Sequence, residues 1–261
     1  MNSLADSGRL DLGDSQLEYR LWRQGADAAP SLVLLHEGLG CVGLWGDFPA
    51  RLAAATGRTV FAYSRAGYGG SSPVALPRPL DYMQREARDS LPRVLDAIGF
   101  QRGALVGHSD GASIAAVHAG ALRDPRVRAV SLIAPHFFVE EMTVAAIERA
   151  REAYEGGDLR RKLMRWHSDV DVAFRGWNDA WLDPEFRVWD ISSYLPAIVA
   201  PVQIIQGEDD PYGSGWQIDV ARRELPTPPE VVMLPGVGHA PHREAAETTI
   251  EHIRRFVLPL L

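Results

Sequence analysis

The sequence predicts an α/β fold in which a mostly parallel sheet of eight strands is flanked by helices and interrupted by an inserted helical cap. Short apolar segments alternate with helical patterns along most of the 261 residues, which is typical of a parallel sheet with covering helices. The alternation stops over residues 136–194, where a helical stretch rich in aromatic residues intervenes, and strand patterns resume after it. We therefore predict one core domain, formed by residues 1–135 and 195–261, and a cap formed by residues 136–194.

The strands can be placed from the pattern of apolar residues. The first two alternate apolar and polar residues, as half-buried strands do, and the turn composition of Leu12–Gln16 predicts a hairpin between them. The later ones are mostly short apolar runs, which fit strands buried on both faces. The eight predicted strands are Arg9–Leu12, Leu17–Trp22, Ser31–His36, Arg58–Tyr63, Gly103–Gly107, Val127–Ala134, Pro201–Gln206 and Glu230–Leu234.

The helices are predicted between these strands. Those of the core are Trp45–Thr56, Asp81–Ile98, Ser109–Leu122 and Glu244–Val257. Pro92 lies inside the second of them and predicts a kink or a break, because proline lacks the backbone N–H and its ring collides with the preceding turn. In the cap, four apolar residues recur at helical spacing, namely Val170, Phe174, Trp177 and Trp181.

Charge and composition narrow the range of partners. The net charge of −7 gives no electrostatic reason to bind nucleic acid or an anionic membrane, which favours a small-molecule substrate. Cys41 is the single cysteine, so an intrachain disulfide is excluded, and we interpret it as a packing residue. The sequence has neither a secretory leader pattern nor an apolar run long enough to span a bilayer, so we expect a cytoplasmic protein. A homodimer is left open as the assembly.

The eight histidines were weighed as ligands and as structural residues. No pair among them combines metal-ligand spacing with a third ligand, so we predict neither a metal site nor another cofactor. We interpret His36 and His108 as structural and His242 as a surface or supporting residue. Three others are expected to be ordinary helical residues, namely His118, His167 and His252.

A motif that carries chemistry follows the fifth predicted strand. Gly107-His108-Ser109-Asp110-Gly111 matches the pattern G-x-S-x-G between an apolar strand and an Ala-rich helix. In such an elbow the serine occupies a sharp, strained turn, and the flanking glycines let strand and helix approach closely. The turn exposes the hydroxyl at the positive end of a helix. The sequence therefore predicts Ser109 as a nucleophile.

Over nearly its whole length the chain resembles the α/β-hydrolase superfamily, whose triad runs serine, acid, histidine along the chain. Gln206-Gly-Glu-Asp-Asp-Pro211 is similar to the turn after the seventh strand of that family, which implies Asp210 as the triad acid, with Asp209 as the neighbour that could be confused with it. Pro235-Gly-Val-Gly-His239 is similar to the segment before the last helix of the family, which implies His239 as the general base.

The resemblance also implies an oxyanion hole, because acyl transfer places negative charge on a carbonyl oxygen. One backbone N–H should come from Asp110 and the other from Gly38, with Leu39 as the alternative. Glu37 departs from the family, which often has glycine there, and we expect its side chain to point away and bond backbone or an arginine. Ser64 stands where this family usually has an aspartate, so Arg65 lacks that carboxylate as a near partner. The segment Glu37-Gly-Leu-Gly40 is also similar to the Asp-Gly-Leu-Gly loop of the zearalenone-type lactone hydrolases.

The aromatic cap predicts a mostly apolar pocket, to which we assign Leu39, His136, Trp177 and Trp181. We therefore expect a serine hydrolase, of carboxylesterase or lactonase type, that cleaves a small to medium, largely apolar ester or lactone through an acyl-enzyme. Two alternatives stay open because a fold does not fix a reaction. One is a carbon–carbon bond hydrolase or a cofactor-free oxygenase on the same fold. The other is a ligand-binding protein with slow turnover.

Overall fold

The computed structural model describes residues 6–24 and 29–261 of the chain. Within these residues the strands are β1 (Ser7–Asp11), β2 (Gln16–Trp22), β3 (Leu32–Leu35), β4 (Val60–Tyr63), β5 (Gly103–His108), β6 (Val127–Ile133), β7 (Val202–Gly207) and β8 (Glu230–Leu234). They form one eight-stranded sheet in the order β1-β2-β4-β3-β5-β6-β7-β8. β2 pairs antiparallel with both β1 and β4, and every later pairing is parallel. The predicted fold class is therefore confirmed.

Helices connect the strands and cover both faces of the sheet. In the described residues they are α1 (Phe48–Thr56), α2 (Tyr82–Arg85), α3 (Leu91–Ala97), α4 (Asp110–Leu122), α5 (Glu141–Glu155), α6 (Leu159–Leu163), α7 (Val170–Leu182), α8 (Gly215–Glu224), α9 (Pro241–Glu244) and α10 (Ala246–Val257). Because successive strand residues point to opposite faces, β3 feeds two separate cores. Leu32 and Leu34 pack with α1 and α10, whereas Val33 and Leu35 pack with the core that contains α3 and α4.

Two helix predictions needed correction at their ends, and a third shows the interruption that Pro92 predicts. The first helix begins at Phe48, because residues 42–45 form a separate 3-10 turn. The second is interrupted by a π-helical segment over residues 86–90, directly before the turn that holds Pro92, which accommodates the missing N–H of the proline. The last predicted helix, Glu244–Val257, is divided at Ala245 between α9 and α10. The break occurs there because the Glu244 carboxylate turns back to accept the N–H groups of Gly238 and Ala240.

The inserted segment, residues 136–194, carries α5, α6 and α7 above one face of the sheet. Its two ends lie side by side, because Phe138 and Asp190 form an antiparallel bridge. The N–H of Ile191 also donates to the carbonyl of Phe137 at 2.7 Å. The segment therefore leaves the sheet and returns to it at one place, as an insertion does. The domain boundaries given above stay a prediction.

Candidate active site

Four loops meet at one edge of the sheet, because the carboxyl ends of parallel strands point the same way. The loop after β3 holds residues 36–40, which we call the oxyanion loop, and the turn after β5 holds Ser109. Asp210 follows β7 and His239 follows β8. The chain thus brings together residues that lie about 200 positions apart in the sequence, as Gly38 and His239 do.

Ser109 occupies a strained turn between β5 and α4. Its φ of 53° lies in the left-handed region, which a residue other than glycine rarely adopts. The glycines on either side are required by space. A Cβ on Gly107 would lie 2.3 Å from the carbonyl oxygen of Gly111, and one on Gly111 would lie 2.1 Å from that of Leu35. The elbow geometry predicted from the motif is therefore present.

Ser109, His239 and Asp210 form a continuous chain of hydrogen bonds. The Ser109 hydroxyl lies 3.0 Å from Nε2 of His239. Nδ1 of His239 donates to the Asp210 carboxylate, whose oxygens are 2.8 and 2.9 Å away. Asp210 also accepts from the side-chain amide of Gln206 at 2.7 Å and from the N–H of Tyr212 at 2.8 Å. A hydroxyl in this arrangement can pass its proton to the imidazole, and the carboxylate can stabilise the resulting charge.

The two neighbouring acids behave differently. Asp210 is 6% exposed and faces His239, whereas Asp209 is exposed to solvent. Burial raises the pKa of Asp210, but the hydrogen bond and charge of His239 and the N–H of Tyr212 outweigh it, and the pKa is lowered overall. Asp210 therefore stays ionised at neutral pH. Of the two acids, Asp210 is the one placed to hold the histidine.

A cavity of about 110 Å³ opens beside Ser109. It is lined by all four residues predicted for the pocket, namely Leu39, His136, Trp177 and Trp181. Sequence reasoning missed three further lining residues, which are Thr143, Ile147 and Tyr212. Thr143 and Ile147 lie one turn apart on α5, and Tyr212 follows Asp210 by two positions, so helical spacing and proximity to the acid were the available signals.

The oxyanion loop is held in place by Arg65, which is 3% exposed. Its guanidinium donates to the backbone carbonyls of His36 and Glu37, the second at 2.9 Å. Because the N–H of a trans peptide points opposite to its carbonyl, the N–H of Gly38 is directed away from Arg65. Gly38 lies at the cavity under the indole of Trp177, and a Cβ there would be 2.1 Å from the indole nitrogen. These contacts favour Gly38 over Leu39 as a donor.

The carboxylate of Asp110 is tied to the wall of the cavity. Tyr82 donates its hydroxyl to Asp110 at 2.5 Å, and the indole N–H of Trp181 donates to that hydroxyl at 3.1 Å. Burial raises the pKa of Asp110, and the charge of Arg65 and the hydrogen bond from Tyr82 only partly offset this. Asp110 therefore links the start of α4 to α7.

The expected partner of Glu37 was wrong. Arg65 contacts the backbone carbonyl of Glu37, and the carboxylate instead lies 3.5 Å from Nδ1 of His108. Burial raises the pKa of Glu37, but the hydrogen bond and charge of His108 outweigh it and hold the pKa well below its usual range. Glu37 also lines the cavity, and its side chain is 23% exposed.

Five buried histidines are kept neutral, because burial disfavours the charged form and lowers the pKa of each. They are His36, His118, His136, His167 and His242. For His136, burial lowers the pKa to about 3. The prediction that His167 is a helical residue was wrong. It follows α6, accepts the N–H of Gly69 and donates to the carbonyl of Leu39, each at 3.0 Å.

The described part of the chain offers neither a cluster of metal-binding side chains nor a helix that could span a membrane. No group of three or more histidine, cysteine, aspartate or glutamate side chains is arranged to hold a metal ion among residues 6–24 and 29–261. Over the same residues, each helix is too short or too polar to cross a membrane.

The fold and the site define an α/β protein with a serine, a histidine and an aspartate assembled at the carboxyl edge of its sheet. Residues 32–252 match the alpha/beta hydrolase family, and the chain belongs to that family. It is similar to the serine hydrolase BPHL of Mus musculus, with 27% identity over 161 residues. That match covers 59% of this chain and 54% of the mouse protein, so only about half of the relative's length is spanned.

Solved structures show the same fold. The proline iminopeptidase of Mycobacterium smegmatis superposes with a TM-score of 0.72 and 21% identity, over 96% of this chain and 97% of that one. The enol-lactonase of Burkholderia xenovorans LB400 superposes with a TM-score of 0.73 and 17% identity, over 95% of this chain and 99% of that one. At such identities the likeness concerns the fold, and the site must carry the functional argument.

Proposed function

We propose that this protein is a serine hydrolase that cleaves a small to medium, largely apolar ester or lactone through an acyl-enzyme. The observation that carries the proposal is the chain of hydrogen bonds from Ser109 through His239 to Asp210, beside a cavity walled by two tryptophans. The similarity to a relative described as a serine hydrolase supports the same reaction class.

The geometry suggests a two-step reaction. The Ser109 oxygen attacks the carbonyl carbon while Nε2 of His239 takes the hydroxyl proton, and Asp210 stabilises the imidazolium. The N–H groups of Gly38 and Asp110 stabilise the oxyanion. His239 then returns the proton to the leaving alkoxide, which leaves an acyl-enzyme. In the second step a water molecule attacks the acyl carbon while His239 takes its proton, and His239 then returns a proton to the Ser109 oxygen as the bond from that oxygen to the acyl carbon breaks and the acid product leaves.

The cavity indicates the size of the substrate. Its volume of about 110 Å³ is well below the roughly 300–1,000 Å³ typical of pockets for drug-sized ligands. Leu39, Ile147 and the two tryptophans make most of its surface apolar. We therefore expect short, uncharged acyl groups or small lactones to be preferred over long acyl chains.

Labelling by a fluorophosphonate tests the proposed nucleophile directly. The wild type should gain one phosphonyl group at Ser109, and the Ser109→Ala variant should gain none. Ser113→Ala is the matched control, because Ser113 lies one turn further along α4 and donates its hydroxyl to the carbonyl of His136 at 2.6 Å. A folded wild type that never labels would refute the proposal.

A substrate screen then separates the reaction classes. Esters of graded acyl length and small lactones should be hydrolysed, with kcat/KM falling as the acyl chain outgrows the cavity. Cleavage of ring-cleavage diketones alone would favour the carbon–carbon bond hydrolase, and oxygen uptake with a heteroaromatic substrate would favour the oxygenase. Tight binding with negligible turnover would favour the ligand-binding protein.

A further inference from the structure

A second carboxylate–imidazole pair lies behind the proposed triad. Nδ1 of His108 is 3.5 Å from Oε2 of Glu37, and Nε2 of the same ring is 2.7 Å from the backbone carbonyl oxygen of His239. His108 is 3% exposed, so water does not substitute for these partners. The proposed mechanism leaves this pair without a role.

The chemistry of its neighbours fixes the protons on His108. A carbonyl oxygen can only accept, so Nε2 must carry a hydrogen. An ionised carboxylate also only accepts, so a bare Nδ1 would set its lone pair against the Glu37 oxygen in a buried place. Among the described residues Nδ1 has no hydrogen-bond partner within normal distance, and the Glu37 oxygen at 3.5 Å is the nearby acceptor, which a protonated Nδ1 of an imidazolium would face favourably.

The groups packed around the ring agree with a single positive charge there. The ring of His242 lies 4.5 Å from that of His108 and is itself kept neutral. Trp45 from the 3-10 turn lies 6.5 Å away, edge-on, and the ring of His239 lies 5.1 Å away. Glu37 is the carboxylate that faces His108 from the oxyanion loop.

The pair connects the three segments on which the proposed reaction depends. Glu37 directly precedes Gly38, and His108 directly precedes Ser109. The bond from Nε2 of His108 holds the main chain of His239. The Glu37 carboxylate is also folded over Gly40, where a Cβ would lie 2.4 Å from its oxygen, so the loop closes tightly around it.

We propose that the buried His108 and the partly buried Glu37 form an ion pair that positions the oxyanion loop and the His239 segment relative to Ser109. This proposal rests on the proposed function for its effect on catalysis. Glu37 and His108 are positioning residues, since they act through Gly38, Ser109 and His239. The pair also supplies a reason for the acidic residue beside an oxyanion site, because the imidazolium neutralises the charge of the carboxylate.

Single and double amide variants test the positioning. His108→Gln leaves the Glu37 carboxylate without its cation, and Glu37→Gln makes the imidazolium give up a proton, whereas the double variant replaces the ion pair by a neutral amide pair. Each single variant should lower kcat about 10- to 100-fold with KM nearly unchanged, since a shift of about 1 Å can have that effect. The double variant should be at least as active as the better single variant.

Matched controls are an exposed acid and a histidine away from the site. Glu247, whose side chain is 91% exposed, and His252 of α10 supply them as Glu247→Gln and His252→Gln. Losses that multiply in the double variant, or a single variant with normal kcat, would overturn the positioning role. If a variant fails to fold, the ion pair is tested by the protonation of His108 in the wild type.

Nuclear magnetic resonance of wild type labelled with ¹⁵N-histidine gives that measurement. At pH 7.5 both ring nitrogens of His108 should show the signals of protonated nitrogens, assigned by their loss in His108→Gln. In Glu37→Gln one of them should become unprotonated. A neutral His108 in the wild type would refute the ion pair. This measurement needs no substrate. An absence of phosphonate labelling would therefore refute the proposed function, whereas the ion pair between Glu37 and His108 would still be tested by the spectrum.

Discussion

Replacing Gly38 by alanine probes the oxyanion loop at its tightest point. The added Cβ would lie 2.1 Å from Nε1 and 2.2 Å from Cδ1 of Trp177, whereas ordinary contact begins at 3.4 Å. The loop or the indole must therefore move by about 1.3 Å. Trp177 is 7% exposed and packs edge-on against Phe174, so it cannot simply swing into solvent. The N–H of Gly38 should leave its position.

Two magnitudes follow from this displacement. Loss of one oxyanion donor typically lowers kcat by about 10²- to 10³-fold, which sets the expected effect on ester hydrolysis. Overpacking of a core typically costs about 1–3 kcal/mol, which sets the expected loss of unfolding free energy. The assay is kcat on the best ester of the screen, together with the rate of phosphonylation of Ser109 and the urea midpoint.

A second-site change separates displacement from general damage. Gly38→Ala combined with Trp177→Ala removes the colliding indole, so the double variant should recover at least about tenfold in kcat over Gly38→Ala. Gly215→Ala is the matched control, because a Cβ there meets no atom within 4 Å. Normal kcat in Gly38→Ala, with a stability loss as large as calculated, would refute Gly38 as the donor.

Three further predictions follow. Asp210→Asn should lower kcat by about 10⁴-fold, because the wrong histidine tautomer is favoured, while Asp209→Asn should change kcat by less than about threefold; equal losses would contradict Asp210 as the acid. The five buried histidines have a lowered pKa in the folded chain and bind protons on unfolding, so their contribution to stability should be fully present above pH 6.5 and be lost as the pH falls below it. Calorimetry should give a Tm about 10 °C lower at pH 5.5 than at pH 7.5. A constant Tm over that range would show that these histidines are protonated when folded. Ile147→Ala should enlarge the cavity and raise the relative kcat/KM for an acyl chain one or two carbons longer by about tenfold, which a chain-length series would reveal or exclude.

Local sequence patterns predicted the strands of the sheet and the turn that holds Ser109. The strands were found because buried strands need continuous apolar runs, and the elbow was found because close contact of strand and helix excludes side chains at Gly107 and Gly111. The sequence left Asp209 beside Asp210 as an alternative, since both follow the same strand. Only the fold separates them, by burying Asp210 against His239 and leaving Asp209 in solvent.

Contacts between distant segments were predicted where the family resemblance implies them, as for Ser109, Asp210 and His239, and the others were not. Glu37 and His108 are separated by 71 positions, and His167 reaches back 128 positions to the carbonyl of Leu39. No periodicity or motif records such pairs, because their partners are chosen by the packing of the whole chain. The same reason explains why the sequence did not reveal that Arg65, which lacks the usual aspartate as a near partner, binds two backbone carbonyls of the oxyanion loop.

Most aromatic residues of the inserted segment pack against one another, whereas Trp177 and Trp181 also line the cavity. Phe186 stacks on Trp189 at 5.3 Å and Trp181 lies edge-on to Phe186 at 4.9 Å, so little of the aromatic surface is left to line a pocket. Trp181 also donates a hydrogen bond to the Tyr82 hydroxyl, which in turn donates one to the Asp110 carboxylate. Because the wall of the cavity is connected in this way to Asp110, the residue after Ser109, a substitution that moves Trp181 should alter kcat as well as KM.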